Sequence, residues 1–466
     1  MRKFKLVSLF SGAGGLDLGF LWSGRFEILF ANDVSLPAMR SYSSNFGLKL
    51  SICENENVEA QAGIALACDI ERVDLSPLKD AGVDVIVGGP PCQDFSIVRG
   101  PKRKGIEVRR GRLYSYFVKA LAILQPKAFL FENVPGLISS NNGLAYEYIL
   151  KDFSDLNLRW EEVERGIGIK ENIGSIEGYH IIHSRVLDLS HFGVPQMRRR
   201  LIIVGIRKDL VRNRESLEEI KSAFSGSLKE NMGLFPKYPL TPIETFEGKR
   251  LDELDSEYKE IMKKWEGVWL DVDNENAWRW KSEIWDKLTF DIVQDYLLVN
   301  DVMPARKEEI EEALRQHEEI LRELGYYRVP VSTLKPIDGT NELLDEGPAI
   351  VERMKRIPFD ENYEILRGTK WELNWNSFSH AYRRLHPLRP AYTVLAYGGG
   401  GTHGYHYQRD RTTLTLRERA RLQTFPDSFF FSGSRTQIRA EIGEAVPPLA
   451  AKRLAQALAN LLSYLY

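Results

Sequence analysis

The run Lys5-Leu6-Val7-Ser8-Leu9-Phe10-Ser11-Gly12-Ala13-Gly14-Gly15 sets the architecture. Lys5–Phe10 is a short apolar stretch running into glycines, the pattern of a buried strand feeding a turn. Glycines at a strand-to-helix turn let backbone amides approach a ligand, and the helix N-terminus that follows favours negative charge. The spacing is not the phosphate-binding G-x-G-x-x-G, because Gly15 directly follows Gly14 and position 17 is Asp. Asp33 lies 19 residues beyond Gly14, at the end of the next apolar run. An acid there can accept both hydroxyls of a ribose. Turn and acid together suggest an adenosine-containing cofactor without saying which.

Further along, Glu27–Ala31, Val83–Val87, Ala128–Phe131 and Leu201–Val204 also read as buried strands, with helical periodicity over Leu36–Phe46 and Leu113–Leu124. This alternation predicts an α/β fold with a doubly wound, mostly parallel sheet and ligands at the carboxyl ends of its strands. Beyond about residue 210 the alternation is lost and charge rises. Five of the nine tryptophans form one cluster there: Trp265, Trp269, Trp278, Trp280 and Trp285. Arg306–Gly325 has the stripe of an amphipathic helix, with Ile310, Leu314, Leu321 and Leu324 on one face and Gly325 as its stop. A small second core is expected, with one or two tryptophans left for a partner. The expected domains are 1–210, 211–380, and 381–466 returning to the first, with a last helix over Pro448–Leu462.

The 466 residues carry a net charge of -2, so any nucleic-acid surface must be locally basic. The three cysteines, Cys53, Cys68 and Cys92, show no paired ligand spacing. Neither a disulfide framework nor a zinc site is expected, and a reduced, cytoplasmic setting fits. The N-terminal residues lack the pattern of a secretory signal, and no apolar stretch reaches membrane-spanning length. His380, His386, His403 and His406 flank Gly398–Gly401. A DNA-contacting loop is favoured there over a metal site, and no metal is expected.

Gly88-Gly89-Pro90-Pro91-Cys92-Gln93-Asp94-Phe95-Ser96 closes the apolar run Val83–Val87. A cysteine in that turn is displayed at the sheet's carboxyl edge, where amides and basic residues lower its pKa. A lone cysteine is more often a small buried hydrophobe. Here two rigid prolines instead fix an exposed thiol. A basic stretch follows, Arg99, Lys102, Arg103, Lys104, Arg109, Arg110 and Arg112 against the single acid Glu107, with Gly100, Gly105 and Gly111 as hinges. Such a segment can close over phosphates. The next strand ends in Phe131-Glu132-Asn133-Val134-Pro135, whose acid faces the same edge as Cys92.

These blocks, in this order, resemble the C5-cytosine-specific DNA methyltransferase family of restriction-modification systems. The glycine turn is similar to the family's first motif, Pro-Cys-Gln to its fourth and Glu132-Asn133-Val134 to its sixth. Gln196-Met197-Arg198-Arg199-Arg200 matches the eighth. Arg417-Glu418-Arg419-Ala420-Arg421-Leu422 with Phe425-Pro426-Asp427 resembles the ninth, and Gly443-Glu444-Ala445-Val446-Pro447-Pro448 the tenth. The resemblance covers about residues 1–210 and 380–466. The stretch between them corresponds by position to a smaller, irregular target-recognition domain. Glu444 departs from the family, which usually has Asn there.

The resemblance implies a Rossmann-like S-adenosylmethionine-dependent methyltransferase. Cys92 would add to position 6 of a flipped-out cytosine, and Glu132 would hold the ring's N3 and amine. Arg198 and Arg200 would orient the base or a neighbouring phosphate. The cofactor would meet Phe10, Gly12, Gly14, Asp33, Val34, Asp69, Ile70, Pro90, Leu113, Glu444 and Ala445. DNA would meet Gln93, Ser96, Arg99, Lys102, Arg103 and Gln196. The expected partners are duplex DNA and a cognate restriction endonuclease acting on the same site, with the chain a monomer. The competing readings are an RNA cytosine-5 methyltransferase of the same fold and a non-catalytic DNA-binding relative. The variable stretch of about 165 residues, 211–375, between the eighth and ninth motifs argues against the first, and retention of Cys92 and Glu132 against the second.

Overall fold

Strand β1, Phe4–Leu9, lies inside an eight-stranded sheet because both of its faces are apolar, with Leu6, Val7 and Leu9 wholly buried. The computed structural model describes residues 3–54, 56–91, 113–156, 177–211, 213–373, 381–398, 402 and 404–465. After β1 come α1 (Gly15–Trp22), β2 (Phe26–Asp33), α2 (Leu36–Phe46), β3 (Lys49–Ile52), β4 (Val58–Glu59), β5 (Ile64–Ala67), β6 (Val73–Asp74) and β7 (Val85–Gly88). Then follow α3 (Leu113–Leu124), β8 (Ala128–Asn133), α4 (Leu144–Ser154), β9 (Tyr179–Asp188), β10 (Arg199–Arg207) and α5 (Arg214–Met232). The sheet order is β3-β5-β2-β1-β7-β8-β10-β9, and β4 pairs separately with β6. All neighbours in the large sheet are parallel except β10, which runs antiparallel to β8 and β9. The expected doubly wound, mostly parallel sheet is therefore present. Its order reverses between β1 and β7, so the crevice beyond their carboxyl ends is the topological switch point.

The chain forms two compact units. The first holds residues 1–188, 199–231 and 445–466, and the second holds 189–198 and 232–444. These limits differ from the expected breaks at 210/211 and 380/381. Hydrogen bonds draw 189–198 into the second unit. Ala391 donates its amide to the Pro195 carbonyl at 2.9 Å, and Met197 donates to Ala391 at 2.7 Å. Only 445–466 return to the first unit, as the helix Pro448–Leu465.

In the first unit Phe117, Phe129, Phe131 and Phe153 interlock at centroid separations of 4.6–6.0 Å. The second unit is helical and irregular, and its described residues pair as strands only in isolated bridges. The expected second core exists. Trp265, Trp269, Trp280 and Trp285 are buried, and the last three pack 5.4–6.4 Å apart. The amphipathic stripe forms the helix Lys307–Glu323. Trp278 alone of the five is exposed, at 42%.

Cys53 and Cys68 are joined in a disulfide, which overturns the expectation that none would form. Cysteine spacing could not reveal it. The two residues follow β3 and β5, and it is strand pairing that brings them together.

Trp280, 1% exposed, donates its indole N–H to the Phe359 carbonyl. Trp280→Ala is expected to cost about 3–5 kcal/mol in a urea melt. Trp278→Ala should stay within about 0.5 kcal/mol of the parent. Equal losses would mean that the aromatic core is misplaced.

Candidate active site

Two clusters of side chains meet the carboxyl edge of the sheet in the first unit. The first belongs to β1, β2 and β5. Phe10, directly after β1, takes a left-handed backbone at φ 54°, which a bulky residue rarely adopts outside constrained sites. Gly12 and Gly14 follow, also left-handed, and Gly14 caps α1. A Cβ on Gly14 would lie 2.5 Å from the Phe46 ring, whereas nothing stands within 4 Å of one on Gly12. The turn is thus packed from below and open in front.

Asp33 ends β2 and holds this turn. One of its carboxylate oxygens accepts the Gly12 amide at 2.9 Å, and the other accepts the Ser35 amide at 2.8 Å. Burial raises its pKa above the ordinary carboxylate value, opposed by the amides of Ser35, Gly12 and Val34. Val34 beside it is 71% exposed. Buried Asn32 donates to the carbonyls of Leu66 and Cys68 at 3.1 and 2.9 Å, tying β2 to β5. Asp69 is exposed and caps the single turn Ile70–Arg72, and Ile70 is buried beneath it.

The second cluster spans β7, β8 and β10. Glu132 lies near the end of β8, 8% exposed, and its Oε1 meets Arg200 Nε on β10 at 2.8 Å. Gly89, just past β7, makes room for it, since a Cβ there would lie 2.7 Å from Glu132 Oε2. Asn133 donates its side-chain N–H to the Pro90 carbonyl at 3.0 Å. The turn leading to Cys92 is therefore anchored on the strand that carries the acid. Pro90 is buried, and Leu113 opens α3 half-buried against the core. Cys92, Gln93, Ser96, Arg99, Lys102 and Arg103 lie outside the described residues, as do His380 and His403.

Arg198 and Gln196 are not where the motif reading put them. Both are wholly buried in the second unit. Arg198 donates to the carbonyls of Gly443 at 2.9 Å and Glu444 at 3.3 Å. Gln196 donates to the Leu422 carbonyl at 2.8 Å and accepts the Val394 amide at 3.0 Å. In this arrangement both side chains clamp buried backbone groups. Glu444 is exposed, and its carboxylate accepts the Tyr397 hydroxyl at 2.5 Å. Ala445 is half-buried at the start of the returning segment. His386 and His406 are buried and each accepts a backbone amide, from Leu388 and Gln408. They lock turns and do not offer a DNA contact.

Sequence reasoning passed over Gly89, Asn133 and Asn32 as positioning residues, and noted Asp17 only as a departure from the phosphate-binding spacing. Asp17 is buried in the first turn of α1, where Ser8 Oγ donates to it at 2.8 Å. An acid two residues after the last glycine was visible, but nothing local marked it as buried.

A glycine turn and acids on one side of the switch point, with a paired carboxylate on the other, put the chain among α/β enzymes that work at the carboxyl ends of parallel strands. The family model for C-5 cytosine-specific DNA methylase matches residues 4–460. The DNA (cytosine-5-)-methyltransferase M.ApeKI of Aeropyrum pernix is 59% identical over 466 residues, covering 99% of each chain. The Type II methyltransferase M.NgoFVII of Neisseria gonorrhoeae is 29% identical, over 99% of this chain and 88% of its own. A crystal structure described as a DNA modification methyltransferase encoded within an E. coli prophage superposes with a TM-score of 0.55 at 20% identity. It covers 99% of this chain and 100% of its own, a likeness of fold. The chain belongs to the C-5 cytosine-specific DNA methylase family and is a DNA (cytosine-5-)-methyltransferase. Among its described residues no helix is long and apolar enough to cross a membrane.

Gly89→Ala should displace the Glu132 carboxylate and lower kcat on the order of a hundredfold when assayed well below the variant's melting temperature. Unchanged kcat would mean that this placement is irrelevant to turnover. Burial lifts the Asp17 pKa from its ordinary 3.8 to about 7. The folded state thus holds this proton more tightly than the unfolded chain does. The stability it contributes is present below about pH 4 and is lost as pH rises through about 7. Asp17→Asn should therefore gain stability over the parent across that window, with a constant difference at higher pH. Parallel melting curves at all pH values would contradict the assignment.

Proposed function

We propose that this enzyme methylates C5 of a cytosine flipped out of duplex DNA at a specific sequence, by way of a covalent adduct on Cys92. The observation that carries the reading is Glu132, desolvated, ion-paired with Arg200 and lodged against the turn that leads to Cys92. Cytosine C5 is a poor nucleophile until the ring is activated. The Cys92 thiolate forms a bond to C6, and the C5–C6 π electrons shift toward C5 and the ring. Glu132 holds N3 and the exocyclic amine and so stabilises the charge that develops. Arg200 pairs with the Glu132 carboxylate and would help to orient the ring. After the methyl group is attached, a base removes the C5 proton. The electrons of that bond restore the double bond, and Cys92 leaves as thiolate.

S-adenosylmethionine supplies the methyl group when bound, and the first cluster fits it. Gly12 opens onto free space, the half-buried carboxylate of Asp33 suits a ribose, and exposed Val34 beside it offers a ring an apolar seat. Asp69 would take the adenine amine, with Ile70, Phe10, Gly14, Pro90 and Leu113 shaping the pocket. Glu444 and Ala445 are assigned to the cofactor by resemblance. Gln93, Ser96, Arg99, Lys102 and Arg103 are assigned to DNA in the same way. Residues 211–380 would read the target sequence. Relatives described as Type II methyltransferases support a role as the modification enzyme of a restriction-modification system. It would act as a cytoplasmic monomer alongside an endonuclease for the same site.

Bisulfite sequencing of DNA from a host expressing the chain should show one methylated sequence context. Purified Cys92→Ser should bind DNA and transfer no methyl group. Wild-type transfer by that variant would rule out the covalent route.

A further inference from the structure

The disulfide sits at the adenosine end of the proposed cofactor site. Cys53 follows β3, a four-residue edge strand that is only half-buried and pairs with β5 alone. Cys68 follows β5 and immediately precedes Asp69. The Cys68 amide donates to the Asp33 carbonyl at 3.0 Å, and its own carbonyl accepts from Asn32 at 2.9 Å. On the other side the Cys53 amide donates to the Ala67 carbonyl at 3.2 Å, and the sulfur–sulfur bond completes the link. One residue therefore joins the edge strand to the acid that holds the glycine turn. A short edge strand frays readily, and the sulfur–sulfur bond restrains that fraying where the chain passes from Cys68 to Asp69.

We infer that the Cys53–Cys68 disulfide is a positioning element for Asp69 and Asp33, and that it makes cofactor affinity depend on thiol redox state. The inference rests on the assignment of those two acids to the cofactor. In the redox step a dithiol donates two electrons and two protons to the Cys53–Cys68 bond. Two thiols result, and the dithiol becomes its own disulfide. The reduced site must then order the Cys68–Asp69 segment on binding, and that cost appears as weaker affinity.

The test is calorimetric titration of the full chain with S-adenosylhomocysteine, well below its melting temperature. Oxidised protein, dithiothreitol-reduced protein and Cys53→Ser are compared. Reduction should raise Kd about three- to tenfold, the scale of ordering one or two side chains. Cys53→Ser should match the reduced protein and no longer respond to dithiothreitol. In turnover, reduction should raise KM for the cofactor and leave kcat alone, a split that general loosening would not produce. Thiol titration of unfolded, oxidised protein should find one free thiol among the three cysteines. Three free thiols, or one Kd shared by all samples, would overturn the inference. If the oxidised protein binds no S-adenosylhomocysteine at all, it is the cofactor assignment itself that has failed.

Discussion

A carboxylate taken out of water is stable only while its charge is answered, and Glu132 is in that position at the middle of the sheet. Arg200 answers it with an ion pair from β10, and Gly89 on the β7 side leaves the space it occupies. Removing one member of such a pair generally costs about 3–5 kcal/mol, because the other is left buried and uncompensated. Strand order follows from this constraint. β8 must stand between the strand that ends in the Gly-Gly-Pro-Pro turn and the antiparallel strand that begins with the arginines. A stable fold and a poised acid are the same arrangement.

Across the switch point the connection is made by backbone groups. Asp33 accepts amides from both sides of its strand end, and Asn32 donates to the carbonyls of Leu66 in β5 and Cys68 just past it. These bonds hold the glycine turn open in front while Phe46 and Tyr42 fill the space behind it. The second unit meets the same requirement differently. Without strand ladders, buried carbonyls in irregular segments need other donors. Guanidinium groups supply them. Arg384 reaches the carbonyls of Met354, Ile357, His406 and Arg409, while Arg417 reaches Phe429 and Arg421 reaches Thr245. The arginine-rich ninth block is thus largely internal scaffolding.

The central strands were legible because each is an apolar run bounded by turn residues, and burial on both faces leaves that trace in composition. β3 was not legible, since an edge strand with exposed ends carries polar residues and looks like a loop. β5 was too short to stand out, and β9 is broken by polar side chains along its half-buried length. In the Lys307–Glu323 helix the apolar stripe was read correctly. His317 on the same face was not, although it is buried against Glu244 at 2.9 Å. A histidine on an apolar face has no partner visible in sequence when that partner lies 73 residues away.

Local order in the chain determined the alternation of strands and helices, the glycine turn, the Gly-Gly-Pro-Pro turn and the acid at the end of β8. Each depends on residues within a few positions of one another, so a single pass along the sequence exposes it. Tertiary structure alone decided which partner each member of a motif meets. In Gln196-Met197-Arg198-Arg199-Arg200 the three polar residues first assigned to base or DNA diverge. Arg200 faces Glu132, while Gln196 and Arg198 turn inward to backbone groups about 200 to 250 positions further on. The Cys53–Cys68 bond is the same kind of fact. Whether a side chain is free to act is set by what packs over it, and that comes from distant segments which local sequence does not encode.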